Sequence, residues 1–425
     1  MIVKENYIDS KLHKIAYAKF REYLDLTYSS ERSDILGLST GYPEPGEFPL
    51  PKVILQKLAA EEDGVEKARP GYGWDAGSLP VRELLVELEN KLHGTRYSTK
   101  NICMVAGATY GFNRIIEHIF EDYIERKKLI VVSPTYYLML DRTERVADVV
   151  SITGREENDF QITAAELINA VDKDTKAIFL ANPTNPTYLY YSEAFFKEII
   201  PKLERKGVYL IIDESGDAFH LGTGNNRLRR FFPEFSSKNV IRIVTASKKY
   251  LLAEYRIGYV LADEEFMGNK QKGFIKLIGD DIGNAPLAVN DALIEISNNE
   301  IKLLNRSPLV TESDFEERMN INNQKMLGLR NMSINILQSN SQITNIILPD
   351  SNFNITFKIN TPNYNKDISF FYNLLKETGV SLLPCSGLGL QEEDMYFRLT
   401  YGIKKQNLIK GLELLLAFLD RENSI

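Results

Sequence analysis

Along the middle of the chain, short apolar runs alternate with amphipathic stretches. The runs at Ile102–Val105, 129–133, 149–153, 177–180, 208–213, Val240–Thr245 and 257–262 predict strands, and the alternation favours a mostly parallel sheet. Between them, Phe112, Ile115, Ile116, Ile119, Phe120 and Tyr123 recur at the spacing of an apolar stripe along a helix, and 194–205 is a second helical pattern. Further on, 286–301 reads as helix and the polar stretch 305–317 loosens the pattern. A helix near 318–331, shorter strands at Asn354–Ile359 and 395–400, and a closing helix at 406–419 follow. The expected fold class is α/β: a three-layer large domain around a mostly parallel seven-stranded sheet, plus a smaller α+β domain drawn from both termini. The expected boundaries are 1–60 for an N-terminal arm and part of the small domain, 61–305 for the large domain, and 306–425 for the small C-terminal domain.

Composition narrows the function classes. The chain has 425 residues, 44% hydrophobic and 26% charged, so a large core is expected. A formal net charge of −7 and the lack of a dense Lys/Arg run argue against a nucleic-acid partner. Two distant cysteines, Cys103 and Cys385, form no disulfide framework. Four scattered histidines offer no paired ligand spacing, so no metal site is expected. No apolar run has membrane-spanning length, and the first twenty residues lack the apolar region of a signal peptide. The expectation is a reduced, cytoplasmic protein without a membrane partner.

The chemistry concentrates behind the run Val240–Thr245. Lys248 follows that strand between hydroxyl residues, and Arg256 comes shortly after. A lysine there can form a Schiff base with an aldehyde cofactor, while Thr245, Ser247 and Arg256 can hold a phosphate beside it. That combination suits pyridoxal 5'-phosphate. Gly107-Ala108-Thr109 lies between a strand and a helix, where free backbone N–H groups and small residues admit an anion. Asn182-Pro183-Thr184-Asn185-Pro186-Thr187 makes a rigid turn after a buried strand, and Asp213 ends another. Each of these is also an ordinary turn or strand end.

Taken in order over residues 37 to 402, these segments resemble the fold-type-I pyridoxal-phosphate enzymes of the aspartate-aminotransferase-like branch. The resemblance implies Lys248 as the cofactor-binding lysine and general base, Asp213 as partner of the ring nitrogen, and Tyr136 as the aromatic stacked on the ring. It implies Asn185 on the ring hydroxyl oxygen, and Gly107, Ala108, Thr109, Thr245, Ser247 and Arg256 around the phosphate. Gly41 would let backbone approach the substrate, and Arg398, in Tyr396-Phe397-Arg398-Leu399-Thr400, would clamp its α-carboxylate. Tyr72 would reach the cofactor phosphate across a dimer interface, making a homodimer. The implied reaction moves an α-amino group from an amino acid to a 2-oxo acid.

Several positions depart from the family pattern. Gly216 stands where the family has a tyrosine that bonds the ring hydroxyl oxygen. That leaves Asn185 alone there or admits another donor, and the Schiff base is expected to keep its proton to higher pH. Tyr188 replaces the glycine that ends Asn-Pro-Thr-Gly, while Leu251 and Glu254 replace glycines of the lysine segment. Relatives that eliminate, replace, cyclise or oxidise amino acids, some in natural-product biosynthesis, remodel these positions, so such chemistry stays the alternative. Glu254 and the carboxylates of 279–286 read either as a solvated loop or as a reader of a cationic side chain.

Overall fold

The computed structural model describes residues 8–44, 46–62, 75–120, 127–140, 142–219, 221, 232–282, 290–305 and 314–422. The strands, in chain order, are β1 (Ile8–Asp9), β2 (Leu36–Gly37), β3 (Ile102–Val105), β4 (Lys128–Ser133), β5 (Asp148–Thr153), β6 (Thr175–Ala181) and β7 (Tyr209–Asp213). Then come β8 (Val240–Thr245), β9 (Gly258–Leu261), β10 (Ile343–Ile347), β11 (Asn354–Ile359), β12 (Val380–Ser381), β13 (Leu383–Pro384) and β14 (Tyr396–Thr400). All seven expected strands form one sheet. It has an eighth member, β1, antiparallel at the edge of β5, so the order is β1-β5-β4-β6-β7-β8-β9-β3. A two-residue strand carries no periodicity, which is why the pattern missed it.

The central strands of the sheet are buried on both faces because apolar residues stand at most of their consecutive positions. Leu129, Val131, Phe179 and Ile211 point into one core with the helices Ala108–Phe120 and Gly273–Ile282. Their neighbours Ile130, Val132, Ile178 and Ile212 point into another, against the helices Ala164–Ala170 and Glu193–Lys206. Period-two alternation with two apolar faces gives three layers. The helix Glu193–Lys206 is capped by Ser192, which accepts from the Phe195 N–H, and stops at Gly207 in the left-handed region (φ 64°).

Strand direction decides where the chemistry lands. The pairs β4–β5, β4–β6, β6–β7 and β7–β8 are parallel, so these strands end on one edge of the sheet. Only β9 runs against β8 and β3 within this part of the sheet. The start of β9 therefore lies on the edge where β3, β7 and β8 end. Loops beyond the carboxyl ends of such strands are where open α/β sheets bind ligands.

The C-terminal region builds a second sheet, β10-β11-β14-β13, and β2 pairs parallel with β12. Its core unites Tyr23, Leu38 and Phe48 with Phe357, Phe397, Leu412 and Phe418. The stretch before Gly41 packs on both regions: Tyr23 and Leu38 join this core, while β1 and Ala16 join the large sheet and its core. The helix Asp314–Leu337 is longer at both ends than 318–331 and starts inside the stretch read as loosened. The helix Asn290–Asn305 overlaps the expected 286–301, whose first residues lie outside those described.

Candidate active site

The loops at the carboxyl ends of β3, β4, β6, β7 and β8 line one cleft, of about 670 Å³. Lys248 sits in the short turn Ala246–Lys249, directly after β8. Thr245 caps that turn: its hydroxyl accepts from the Ser247 N–H (3.2 Å), meets the Ser247 hydroxyl (2.9 Å) and donates to the Ile257 carbonyl (2.9 Å). This last bond ties the lysine turn to the start of β9, which brings Arg256 alongside. The Arg256 guanidinium rests on Gly107. A Cβ at Gly107 would lie 2.6 Å from Arg256 Nη2, and Gly107 itself has φ +85°, so both space and backbone require glycine there. Ala108 and Thr109 line the cleft beside it.

Asp213 ends β7, buried, and accepts the Ser215 N–H at 3.0 Å. Burial raises its pKa. Burial lowers the pKa of Lys248, and the Asp213 carboxylate opposes this only in part. Tyr136, half-buried behind β4, stands edge-on to Phe20 with ring centres 6.0 Å apart. Arg398, on β14, is 6% exposed. Its Nη1 donates to Asn185 Oδ1 (3.3 Å) and to the Tyr188 hydroxyl (3.4 Å), and its Nη2 to the Ser39 carbonyl (3.3 Å). Its Nε is buried and has no hydrogen-bond partner among the described residues. The partners of this guanidinium are neutral oxygens, so its charge is left for an anion.

The structure thus gathers Gly41, Ala108, Thr109, Tyr136, Asn185, Asp213, Thr245, Ser247, Lys248, Arg256 and Arg398 around one cleft, with Gly107 under Arg256. Tyr72 lies outside the described residues. Glu254 is exposed and does not line the cleft, and Asp280 is exposed and pairs with Lys276. Three features were not read from the sequence. The helix Leu12–Tyr28 lines the cleft through Phe20, Tyr23, Leu24, Thr27 and Tyr28, spaced three and four apart. A chain of hydroxyls runs from Tyr23 to Ser39 (2.6 Å) to Ser381 (3.0 Å). Tyr188 turns its ring into the site, although only its replacement of a glycine marked the position. Among the described residues no His, Cys, Asp and Glu cluster could hold a metal, and no helix is long and apolar enough to cross a membrane.

The residues fit a phosphorylated pyridine aldehyde. An amine, a buried carboxylate and two guanidinium groups face one cleft, with hydroxyls beside Arg256. The profile of the family Aminotransferase class I and II matches residues 33–415. The chain is 24% identical to aspartate aminotransferase of Pyrococcus horikoshii over 412 residues, 96% of each chain. It is also 24% identical to asparagine–oxo-acid transaminase of Streptococcus mutans, over 93% of this chain and 94% of that one. In fold it resembles the crystal structure of aspartate aminotransferase from Thermotoga maritima, with a TM-score of 0.75 and 17% identity over 98% of this chain and 99% of that one.

Proposed function

The chain belongs to the aminotransferase class I and II family and is a transaminase; we propose that it binds pyridoxal 5'-phosphate through Lys248 and takes its amino group from an α-amino acid with an apolar or aromatic side chain. One observation carries this reading. Lys248, Asp213, Arg256 and Arg398 surround a single cleft: Lys248 in the turn after β8, Asp213 at the end of β7, Arg256 just before β9 and Arg398 within β14.

When bound, the cofactor supplies an aldehyde for the amine and a ring that withdraws electrons. The chain's residues then have distinct tasks. Arg256, with the hydroxyls of Thr245 and Ser247 and the turn at Gly107, holds the phosphate. Asp213, screened from water, keeps a proton on the ring nitrogen. Tyr136 packs against the ring face, and Asn185 bonds the ring hydroxyl oxygen. Arg398 takes the α-carboxylate of the amino acid, with backbone approach at Gly41. Lys248, once released, takes the proton from the substrate Cα through Nζ. Its lowered pKa keeps more of it neutral for that task.

The substrate class rests on the cleft wall. Among the described residues that line it, Lys248, Arg256 and Arg398 are the cations, and each has a task already. The remaining wall includes Phe20, Leu24, Tyr28, Ile35, Leu138 and Met139. It offers apolar area rather than a second cation for a side-chain carboxylate. We further propose a homodimer in which Tyr72 reaches the partner's phosphate site, which light scattering and a Tyr72→Phe variant test.

The test is a visible spectrum of the protein with cofactor, mixed with each of the twenty L-amino acids and no 2-oxo acid. The aldehyde band should bleach with an apolar or aromatic donor and return on adding 2-oxoglutarate or pyruvate. Turnover without bleaching moves the protein to elimination, cyclisation or oxidation. Bleaching that is strongest with aspartate or glutamate overturns the substrate class alone, and Leu24→Arg should shift preference toward those donors.

A further inference from the structure

Tyr188 stands in a conformation that its own chemistry does not favour. Its φ is +56°, in the left-handed region, which a non-glycine residue adopts only at a cost. Strain of this kind persists where the surroundings enforce it, and the surroundings here are the site itself. The ring is buried, 5% exposed, and lies against Gly216. A Cβ built on Gly216 would stand 3.4 Å from Tyr188 Cδ1 and 3.2 Å from Pro183 Cγ. The ring thus packs in a slot beside Gly216 and Pro183.

The ring ends at Arg398. The Tyr188 hydroxyl accepts from Nη1 at 3.4 Å, the nitrogen that also donates to Asn185 at 3.3 Å. On the other side Nη2 is held by the Ser39 carbonyl. The guanidinium is therefore braced from two sides by groups that leave its charge intact. Burial raises the Tyr188 pKa, so the phenol stays neutral beside it.

We propose that Tyr188 is a positioning residue for substrate carboxylate: it fixes the plane of Arg398 from its slot beside Gly216. The proposal rests on the reading of Arg398 as the carboxylate site. It separates binding of an acid from binding of an amine. A ligand that carries only the amino group meets Lys248 and the cofactor but makes no use of Arg398.

The experiment uses holoenzyme and two ligands: the most active of the twenty L-amino acids, and the primary amine left when that acid loses its carboxylate. Apparent dissociation constants come from the visible spectral change, and kcat and KM from steady-state rates. Tyr188→Phe should weaken the amino acid about ten-fold, as loss of a hydrogen bond to a charged group implies, and the amine less than two-fold. KM should rise more than kcat falls. Tyr188→Leu, which removes the ring together with its hydroxyl, should give at least the same acid-selective loss. Equal losses for acid and amine, or no loss for either, overturn the proposal. Arg398→Gln is the control. If it leaves the amino acid as tightly bound as before, the carboxylate reading fails and the proposal with it. If it weakens the acid while Tyr188→Phe does not, only Tyr188 is excluded.

Discussion

Two pairs of adjacent residues divide the buried charge of this protein. Asp213 and Lys248 face the cleft. Their neighbours Glu214 and Lys249 turn away, into a network behind the sheet. There Arg242, wholly buried, meets Glu214 through Nε (2.5 Å) and Nη2 (2.8 Å), and Glu89 lies 2.8 Å from its Nη1. The Tyr259 hydroxyl donates to Glu89 (2.6 Å), the Tyr250 hydroxyl donates to Glu300 (2.5 Å), and Lys249 stands 3.4 Å from Glu300. The Phe235 ring lies under the guanidinium at 4.7 Å. The two lysines show what the difference means. Burial lowers the pKa of Lys248, with only a partial answer from Asp213. Burial is the largest single influence on Lys249 too, but Glu300, Tyr259, Asp217 and Glu89 together outweigh it and the pKa is raised. A buried charge with its partner in place is structural. A buried charge whose partners are incomplete is ready for a ligand.

Exchanging the lysines gives the largest effects. Lys248→Ala should lose turnover by more than about 10⁴-fold, since nucleophile and base are one group. It should lose the Schiff-base absorption yet melt like the wild-type apoprotein. Lys249→Ala should keep the absorption and lose about 3 kcal/mol of stability, because Glu300 is left buried without its cation. Thermal melts with and without pyridoxal phosphate, read beside the spectrum, separate the two. A Lys248→Ala protein that still transaminates breaks the comparison.

The carboxylates should divide in the same sense. Glu214→Gln should cost roughly 3 kcal/mol through its effect on Arg242, with kcat changed little. Asp213→Asn should lower kcat by about 10²-fold or more, as loss of a positioned proton-holding group does, without lowering the melting temperature.

The smallest effect is the pH dependence of the apoprotein. Burial raises the Asp213 pKa in the folded chain. At low pH both states hold the proton and the group is neutral in effect. As pH climbs past the ordinary carboxylate range, the unfolded chain loses its proton first, so stability falls until the folded carboxyl also ionises. Asp213→Asn should remove that fall. Melting temperatures of the two apoproteins across pH 4 to 8 check it, and parallel curves count against it.

Much of this was legible in the sequence because it is local. The strands of the large sheet are apolar at consecutive positions, and Lys248 and Asp213 are read simply as residues beyond strand ends. What was not legible depends on partners far away. Nothing in Ile8 and Asp9 says that they will pair with Ile152 and Ser151. The helix Leu12–Tyr28 was not among the expected elements, and its cleft-facing stripe has meaning only once the cleft exists. The start of the helix Asp314–Leu337 was misread as loosening, although Asp314, Glu316 and Glu317 suit a helix N-terminus. Tyr188 was noted as a departure, but a side chain's direction from a left-handed backbone is not a matter of pattern. The Tyr188 hydroxyl meets Arg398 beside Asn185, a contact that no local pattern announces.

The pairing of β2 with β12 also sets an order of assembly. The wall that holds Thr245, Ser247, Lys248 and Arg256 closes over a dozen residues, through Thr245 and Ile257. The wall that holds Arg398 needs Ser39 to find Ser381, 342 residues away, and Arg398 to find the Ser39 carbonyl across 359. Contacts that distant form late, because their loops must close first. We therefore expect the side of the cleft that bears Lys248 to outlast the side that bears Arg398. In rising urea, the spectral response to an amino acid should disappear before the cofactor's own absorption does.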